Sequence, residues 1–321
     1  MAPLDDVDLK GTAVEHYSIV ALIAAGGQGR VYRGRDERMR RDVAIKVIRP
    51  GRVSDAAARR RLATEAEALS RLRHPHVAGL YDFLTHDGRD FIVMEFVAGA
   101  TLRDILAGGP LPPFEVARLG SQIARGLAAA HAAHVVHRDI KPTNLKITSS
   151  GELKILDFGV ARLLPPDATL DQETPGFSSD IEVVGTVPYM APEHLKGEEA
   201  DERADIFSVG VVLYEMATGM PAFPHRSMAA LIDAILRDDP TPPSVMNPHV
   251  PPALERIITK AMQKAPAARH QSANELAAAL DALLPAARLP HALRDAPSAS
   301  PLEAILASAR TAPAPLAIAA P

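Results

Sequence analysis

No cysteine occurs among the 321 residues, so disulfides and thiolate-held metals are excluded and a reducing compartment suits the chain. No apolar run approaches the roughly 20 residues that cross a bilayer, which leaves no membrane span to place. The opening MAPLDDVDLKG is acidic and lacks the apolar centre of a signal peptide, so the expectation is a soluble, cytoplasmic chain. A charge excess is missing too. The net charge of -4 and pI of about 6.3 give no case for nucleic acid as a partner. Lysine is scarce, eight of 35 basic residues, and with abundant alanine this points to a GC-rich bacterial genome. Apolar residues are plentiful at 47%, enough for one large two-lobed domain or two ordinary ones.

Periodicity divides the chain unevenly. Residues 1–16 read as a polar lead-in. Strand-like runs follow at 17–23, 31–34 and 43–48, the first two closed by a glycine-rich turn, which predicts an antiparallel sheet. Residues 55–73, rich in Ala, Arg, Leu and Glu, read as a helix until His74-Pro75-His76 breaks it. Further strands are expected at 77–84 and 91–96. Helical spacing then takes over at 114–134, 202–219, 228–237, 252–263 and 273–284. The expectation is an α+β domain over 17–284, with a sheet-rich lobe at about 17–96, a helix-rich lobe at about 100–284, and a cleft between. From 285 to 321 the chain is Pro/Ala/Ser-rich and reads as a flexible tail or linker.

The densest chemistry is His137-Arg138-Asp139-Ile140-Lys141-Pro142-Thr143-Asn144, followed by Asp157-Phe158-Gly159. An HRD tripeptide alone is ordinarily a solvated turn. Joined to DFG across a strand-turn-strand spacing, it sets out what phosphoryl transfer needs. Asp139 can accept a hydroxyl proton, Lys141 can hold the moving phosphoryl group, and Asn144 and Asp157 offer hard oxygen ligands for Mg²⁺ or Mn²⁺. A His beside an Asp also suggests a hydrolytic triad, but no nucleophile motif accompanies it.

With these motifs in this order, the chain resembles the bacterial eukaryotic-like Ser/Thr protein kinases from about Tyr17 to Leu284. The resemblance implies a bilobal kinase fold that binds ATP. Ala24-Ala25-Gly26-Gly27-Gln28-Gly29-Arg30-Val31 stands where the family has G-x-G-x-x-G-x-V over the phosphates. Gly26 and Gly29 match, and Ala24 replaces the first glycine. Lys46 in Val43-Ala44-Ile45-Lys46 would meet the α- and β-phosphates and pair with Glu65; Glu67 reads as a solvated helix charge. Ile23, Val31 and Ala44 would line the nucleotide site, Met94 would be its gatekeeper, and Glu95 and Val97 would belong to the hinge. Lys146 falls where the family more often has an apolar residue under the base; its methylenes can fill that space while the amine reaches solvent. His137 and Phe158 would be packing elements between the lobes.

Gly185-Thr186-Val187-Pro188-Tyr189-Met190-Ala191-Pro192-Glu193 resembles the floor for a peptide substrate, and otherwise it would be a turn before a helix. By the resemblance, Thr186 would contact Asp139 and Lys141, Glu193 would pair with buried Arg269, and Asp205 would anchor the catalytic loop. Ala265 stands where the family more often has Asp, costing one helix cap. Protein substrates carrying Ser or Thr are the implied partners, with self-association for phosphorylation in trans. Arg138 would receive a phosphate placed on the loop before Thr186, where Thr169, Thr174, Ser178 and Ser179 are the acceptors to consider. Two rival readings stand beside this one: a nucleotide-binding pseudokinase scaffold and a small-molecule phosphotransferase.

Overall fold

The computed structural model describes residues 8–26, 29–48, 69–157, 185–225 and 227–285. Outside them lie Gly27, Glu65, Glu67, Phe158, Thr169, Thr174, Ser178 and Ser179, nearly all of the helix expected over 55–73, and the tail from 286.

Six strands form an antiparallel sheet in the order β1-β2-β3-β4-β6-β5. They are β1 (Ala13–Val14), β2 (Tyr17–Gly26), β3 (Gly29–Asp36), β4 (Arg41–Ile48), β5 (Leu80–His86) and β6 (Arg89–Glu95). Alternation along the strands sorts the side chains onto two faces. Val43 and Ile45 of β4 join Phe91, Val93, Tyr17, Ile19 and Tyr32 on one. Ala44 and Ile48 join Ile92, Met94 and Leu80 on the other, and Lys46 shares their parity. Because β4 is paired on both sides, Lys46 is not an edge lysine turned to solvent.

Two boundaries differ from expectation. The lead-in supplies β1, with Val14 only 3% exposed and Leu9 packed against the same core, so the lobe begins before Tyr17. The outer strands are shifted to Leu80–His86 and Arg89–Glu95. Asp87-Gly88, both left-handed at φ 50° and 74°, closes a two-residue hairpin that lets polar His86 and Arg89 pair.

The second lobe starts with β7 (Ala100–Thr101), which forms a small sheet with β8 (Leu145–Ile147) and β9 (Leu153–Ile155). Gly99 sits at φ 143°, where a Cβ would run into the carbonyl oxygen of Ile147, so glycine alone lets the chain pass. The helices are α1 (Leu102–Leu106), α2 (Pro113–Ala132), α3 (Pro192–Leu195), α4 (Glu202–Thr218), α5 (Met228–Arg237), α6 (Pro243–Met246), α7 (Pro252–Ala261) and α8 (Ala273–Asp281). α2 buries Val116, Leu119, Ile123 and Leu127, a stripe with helical period, against α4 and α8. α4 is buried all round from Ala204 to Thr218 and forms the axle of the lobe. α7 and α8 end short of the expected limits because their last turns tighten, as in Leu283 N–H to Leu280 O at 3.0 Å. The lobes are stitched where Val77 bridges Ile155 and the Ala78 N–H donates to Ile155 O at 2.9 Å. Among the described residues, no helix is long and apolar enough to cross a membrane.

Candidate active site

The loop that carries His137 to Asn144 runs from the end of α2 into β8 and is held from below by α4. Asp205 in the first turn of α4 is fully buried. Its carboxylate accepts the backbone N–H groups of His137 and Arg138, both at 2.8 Å, and the His131 Nε2–H at 2.9 Å. Burial would push the Asp205 carboxyl up, but the His131 hydrogen bond, both histidines and the His137 amide outweigh it and hold it low. Arg138 is thereby kept left-handed at φ 65°, a strained conformation for a side chain this size. His137, 1% exposed, adds a ring contact at 2.9 Å to Leu156 O on the segment that leads to Asp157.

This frame aims three groups at one another. The Asn144 Nδ2 donates to Asp139 O at 2.8 Å and to Asp139 Oδ2 at 2.9 Å. The Lys141 Nζ stands 2.9 Å from Asp139 Oδ1 and donates to Thr186 Oγ1 at 2.7 Å. Across the cleft, Lys46 Nζ meets Asp157 Oδ2 at 2.9 Å, although 111 residues separate them. Burial would raise the Asp157 carboxyl, but Lys46, with His137 and Lys141 behind it, draws it below the usual carboxylate range. The partner expected for Lys46, Glu65, lies outside the described residues.

A cleft of about 370 Å³ opens between the lobes. Ile23, Ala24, Gly29, Val31 and Ala44 roof it, and Met94, Glu95 and Val97 close its back. Lys46, Asp139, Lys141, Asn144 and Asp157 lie at its polar end. Gly26 instead pairs with Gly29 at the tip of the β2–β3 hairpin. Thr101, Arg103 and Leu156 line the cleft without having been singled out in the sequence, and Phe96 and Thr143 line it from within the hinge segment and the His137–Asn144 motif.

The donors suit a divalent cation next to phosphates. Both amide hydrogens of Asn144 are engaged by Asp139, which leaves its carbonyl oxygen as the atom to offer in the cleft that Asp157 also lines. Among the described residues no three His, Cys, Asp or Glu side chains converge as a metal cage. One carboxylate plus one carbonyl, with phosphate and water completing the shell, is how magnesium is usually held.

Behind Thr186, Glu193 and Arg269 form a buried fork, NH1 to Oε1 and NH2 to Oε2, both 2.7 Å. Tyr189 O–H donates to Glu215 Oε2 at 2.6 Å, and Glu215 also faces Arg103. Ala265 caps its short turn with no side-chain hydrogen bond. The hinge has a clamp that no local pattern announces: Glu95 accepts from Lys154 Nζ at 2.9–3.0 Å and from the Gly79 N–H at 3.1 Å.

A five-stranded-plus-one sheet over a helical lobe, with lysine, aspartates and asparagine converging in the cleft, defines a two-lobed phosphotransferase class. The chain belongs to the protein kinase domain family, whose model matches residues 17–279. It is 41% identical over 282 residues to the serine/threonine-protein kinase PknD of Mycobacterium tuberculosis, covering 87% of this chain and 41% of that protein. It is 38% identical over 280 residues to the serine/threonine-protein kinase pkn3 of Myxococcus xanthus, covering 85% and 50%. The crystal structure of the PknI kinase domain of M. tuberculosis superposes with a TM-score of 0.65 at 26% identity, covering 85% of this chain and 98% of that one. The chain spans about two fifths to one half of the length of these curated relatives. The bilobal kinase fold read from the motifs is the fold observed, and the family as a whole uses ATP and divalent metal.

Proposed function

We propose that this domain is an active ATP-dependent protein Ser/Thr kinase. The observation that carries the reading is the convergence of Lys46, Asp139, Lys141, Asn144 and Asp157 in one cleft, with Thr186 at its mouth. The acceptor hydroxyl oxygen bonds to the γ-phosphorus, the bond to the β,γ-bridging oxygen breaks, and ADP leaves. Asp139 orients the hydroxyl and takes its proton. Lys141 offsets charge on the transferring group, and its bond to Thr186 ties that function to the peptide floor. Lys46 aims at the α- and β-phosphates. Asn144 and Asp157 would hold magnesium or manganese, which neutralises phosphate charge. Incubation with labelled ATP and a generic basic protein tests the reading: transfer to protein supports it. Nucleotide binding without transfer would favour a scaffold, and label on a metabolite alone would favour a small-molecule phosphotransferase. The same reading places the domain in bacterial cytoplasmic signalling, with protein substrates and no nucleic acid.

The metal assignment is tested by Asp157→Asn. Loss of the carboxylate charge should move the half-saturating magnesium concentration up about tenfold, the effect of ~1.4 kcal/mol, and lower activity with it. An unchanged magnesium titration would remove Asp157 from the metal site.

Autophosphorylation is expected between Asp157 and Glu193, with Thr174 and Thr169 ahead of Ser178 and Ser179. Arg138 supports this reading. Its backbone is pinned by Asp205, its side chain is exposed, and burial together with the Arg138 charge holds the His194 ring below the usual histidine range. A phosphate paired with Arg138 would order the segment ahead of Thr186. Mass spectrometry of protein from a heterologous host should find phosphate within 167–180, and none in Asp139→Asn. An active wild type with that peptide unmodified would show that activation runs by another route.

A further inference from the structure

Lys146 is the residue of the cleft least suited to a purine floor. It lies on β8, pairs across the small sheet with Thr101 on one side and Lys154 on the other, and lines the cleft beside Val31, Ala44 and Met94. Two lysines directly opposite each other on a sheet repel. Lys154 resolves its share by turning its amine onto Glu95 at 2.9 Å. Lys146 has no carboxylate at ion-pair distance among the described residues. Its amine stands 5.8 Å from the centre of the Phe96 ring, whose other cation is Arg33 at 5.1 Å. The Lys146 side chain is already half-buried on the cleft wall.

A flat ring entering the cleft must cover this amine further and strip its water. A neutral ligand has nothing with which to offset that cost, whereas a polyphosphate places several negative charges in the same low-dielectric cleft. We propose that Lys146 is a specificity-determining residue that makes the cleft select anionic nucleotides over neutral purine-like ligands. The inference rests on the nucleotide-binding reading above and adds to it the basis of ligand choice. It also explains why a charge is tolerated in a cleft whose apolar lining is Val31, Ala44, Met94 and Leu156: the aliphatic stem packs, and the head discriminates.

The test is equilibrium binding of adenosine and of ATP with magnesium, by calorimetry, to the wild type, Lys146→Met and Lys146→Arg. Methionine keeps the stem and removes the charge; arginine keeps the charge. Adenosine should bind Lys146→Met about tenfold tighter than the wild type, while ATP changes less than about threefold or weakens. Lys146→Arg should keep the wild-type ratio, and thermal melts should show all three proteins folded, with Lys146→Met at least as stable as the wild type because the repulsion from Lys154 is gone. The proposal is overturned if ATP binds all three proteins and the adenosine-to-ATP ratio is the same in Lys146→Met as in the wild type. If ATP binds none of them, the nucleotide reading falls and this inference with it.

Discussion

Asp139→Asn is expected to reduce phosphoryl transfer by roughly 10²–10⁴-fold, the share that a positioned general base contributes, with the fold retained. The side chain has two oxygens and each faces a donor: Oδ1 the Lys141 ammonium at 2.9 Å, Oδ2 the Asn144 amide at 2.9 Å. An asparagine must turn its own NH2 toward one of them. If toward Lys141, two donors collide at the residue proposed to hold the phosphoryl group. If toward Asn144, the carbonyl proposed to face the metal is pushed out of line. Either way the proton acceptor is gone and a neighbour is displaced. Turnover with a peptide substrate, measured beside a thermal melt, reads both effects. More than about a tenth of wild-type turnover in a normally folded protein would mean that another group takes the proton.

The largest effect on stability belongs to Arg269→Ala. Arg269 is 1% exposed, and its five N–H donors all find acceptors. Two go to Glu193, and the others go to Gln263 O, Arg203 O and Lys264 O at 2.8–3.0 Å. Alanine would leave a buried carboxylate uncompensated and three carbonyls without donors. The loss of one partner of a buried pair costs roughly 3–5 kcal/mol. For a domain of this size the melting point should fall on the order of 10 °C. Arg269→Lys should recover only part, since an ammonium cannot fork onto both oxygens. A melting point within about 2 °C of wild type in Arg269→Ala would show that the surrounding carbonyls and water replace the guanidinium.

The same pair shapes the acid limit of the domain. Burial would raise the Glu193 carboxyl, but the Arg269 hydrogen bonds overcome it and hold it below its ordinary value. A depressed folded value means the stabilisation is present above the unfolded carboxylate range and is lost as pH falls through the folded value. In Arg269→Ala that contribution disappears, so the variant and the wild type should converge in stability as the solution is acidified.

What the sequence determined was whatever repeats locally or sits at fixed spacing. Alternation in Val43–Ile48 and in β6 dictates which residues face which side, and so turns Lys46 toward the cleft. Asp139, Lys141 and Asn144 lie on one short loop, so their grouping is nearly guaranteed by covalent geometry. The buried run of α4 and the stripe of α2 follow from apolar content at helical period. Boundaries were less legible where polar residues pair, as His86 does with Arg89 and as the lead-in strand Ala13–Val14 does with β2, because hydropathy does not record a backbone hydrogen bond.

Only the tertiary structure decided which charges meet. Lys46 with Asp157, Lys154 with Glu95, and Ser121 and Arg125 with Asp281 join residues 59 to 160 positions apart. Nothing in the residue types selects one partner over another, since any lysine suits any carboxylate. The choice is made when the packed cores bring particular strands and helices into register, and the low dielectric there makes an unmatched charge costly. That is also why Lys146 read from sequence alone as a tolerated variant. Its significance comes from Lys154 being engaged by Glu95 while the Lys146 amine lies 5.8 Å from the Phe96 ring in the cleft.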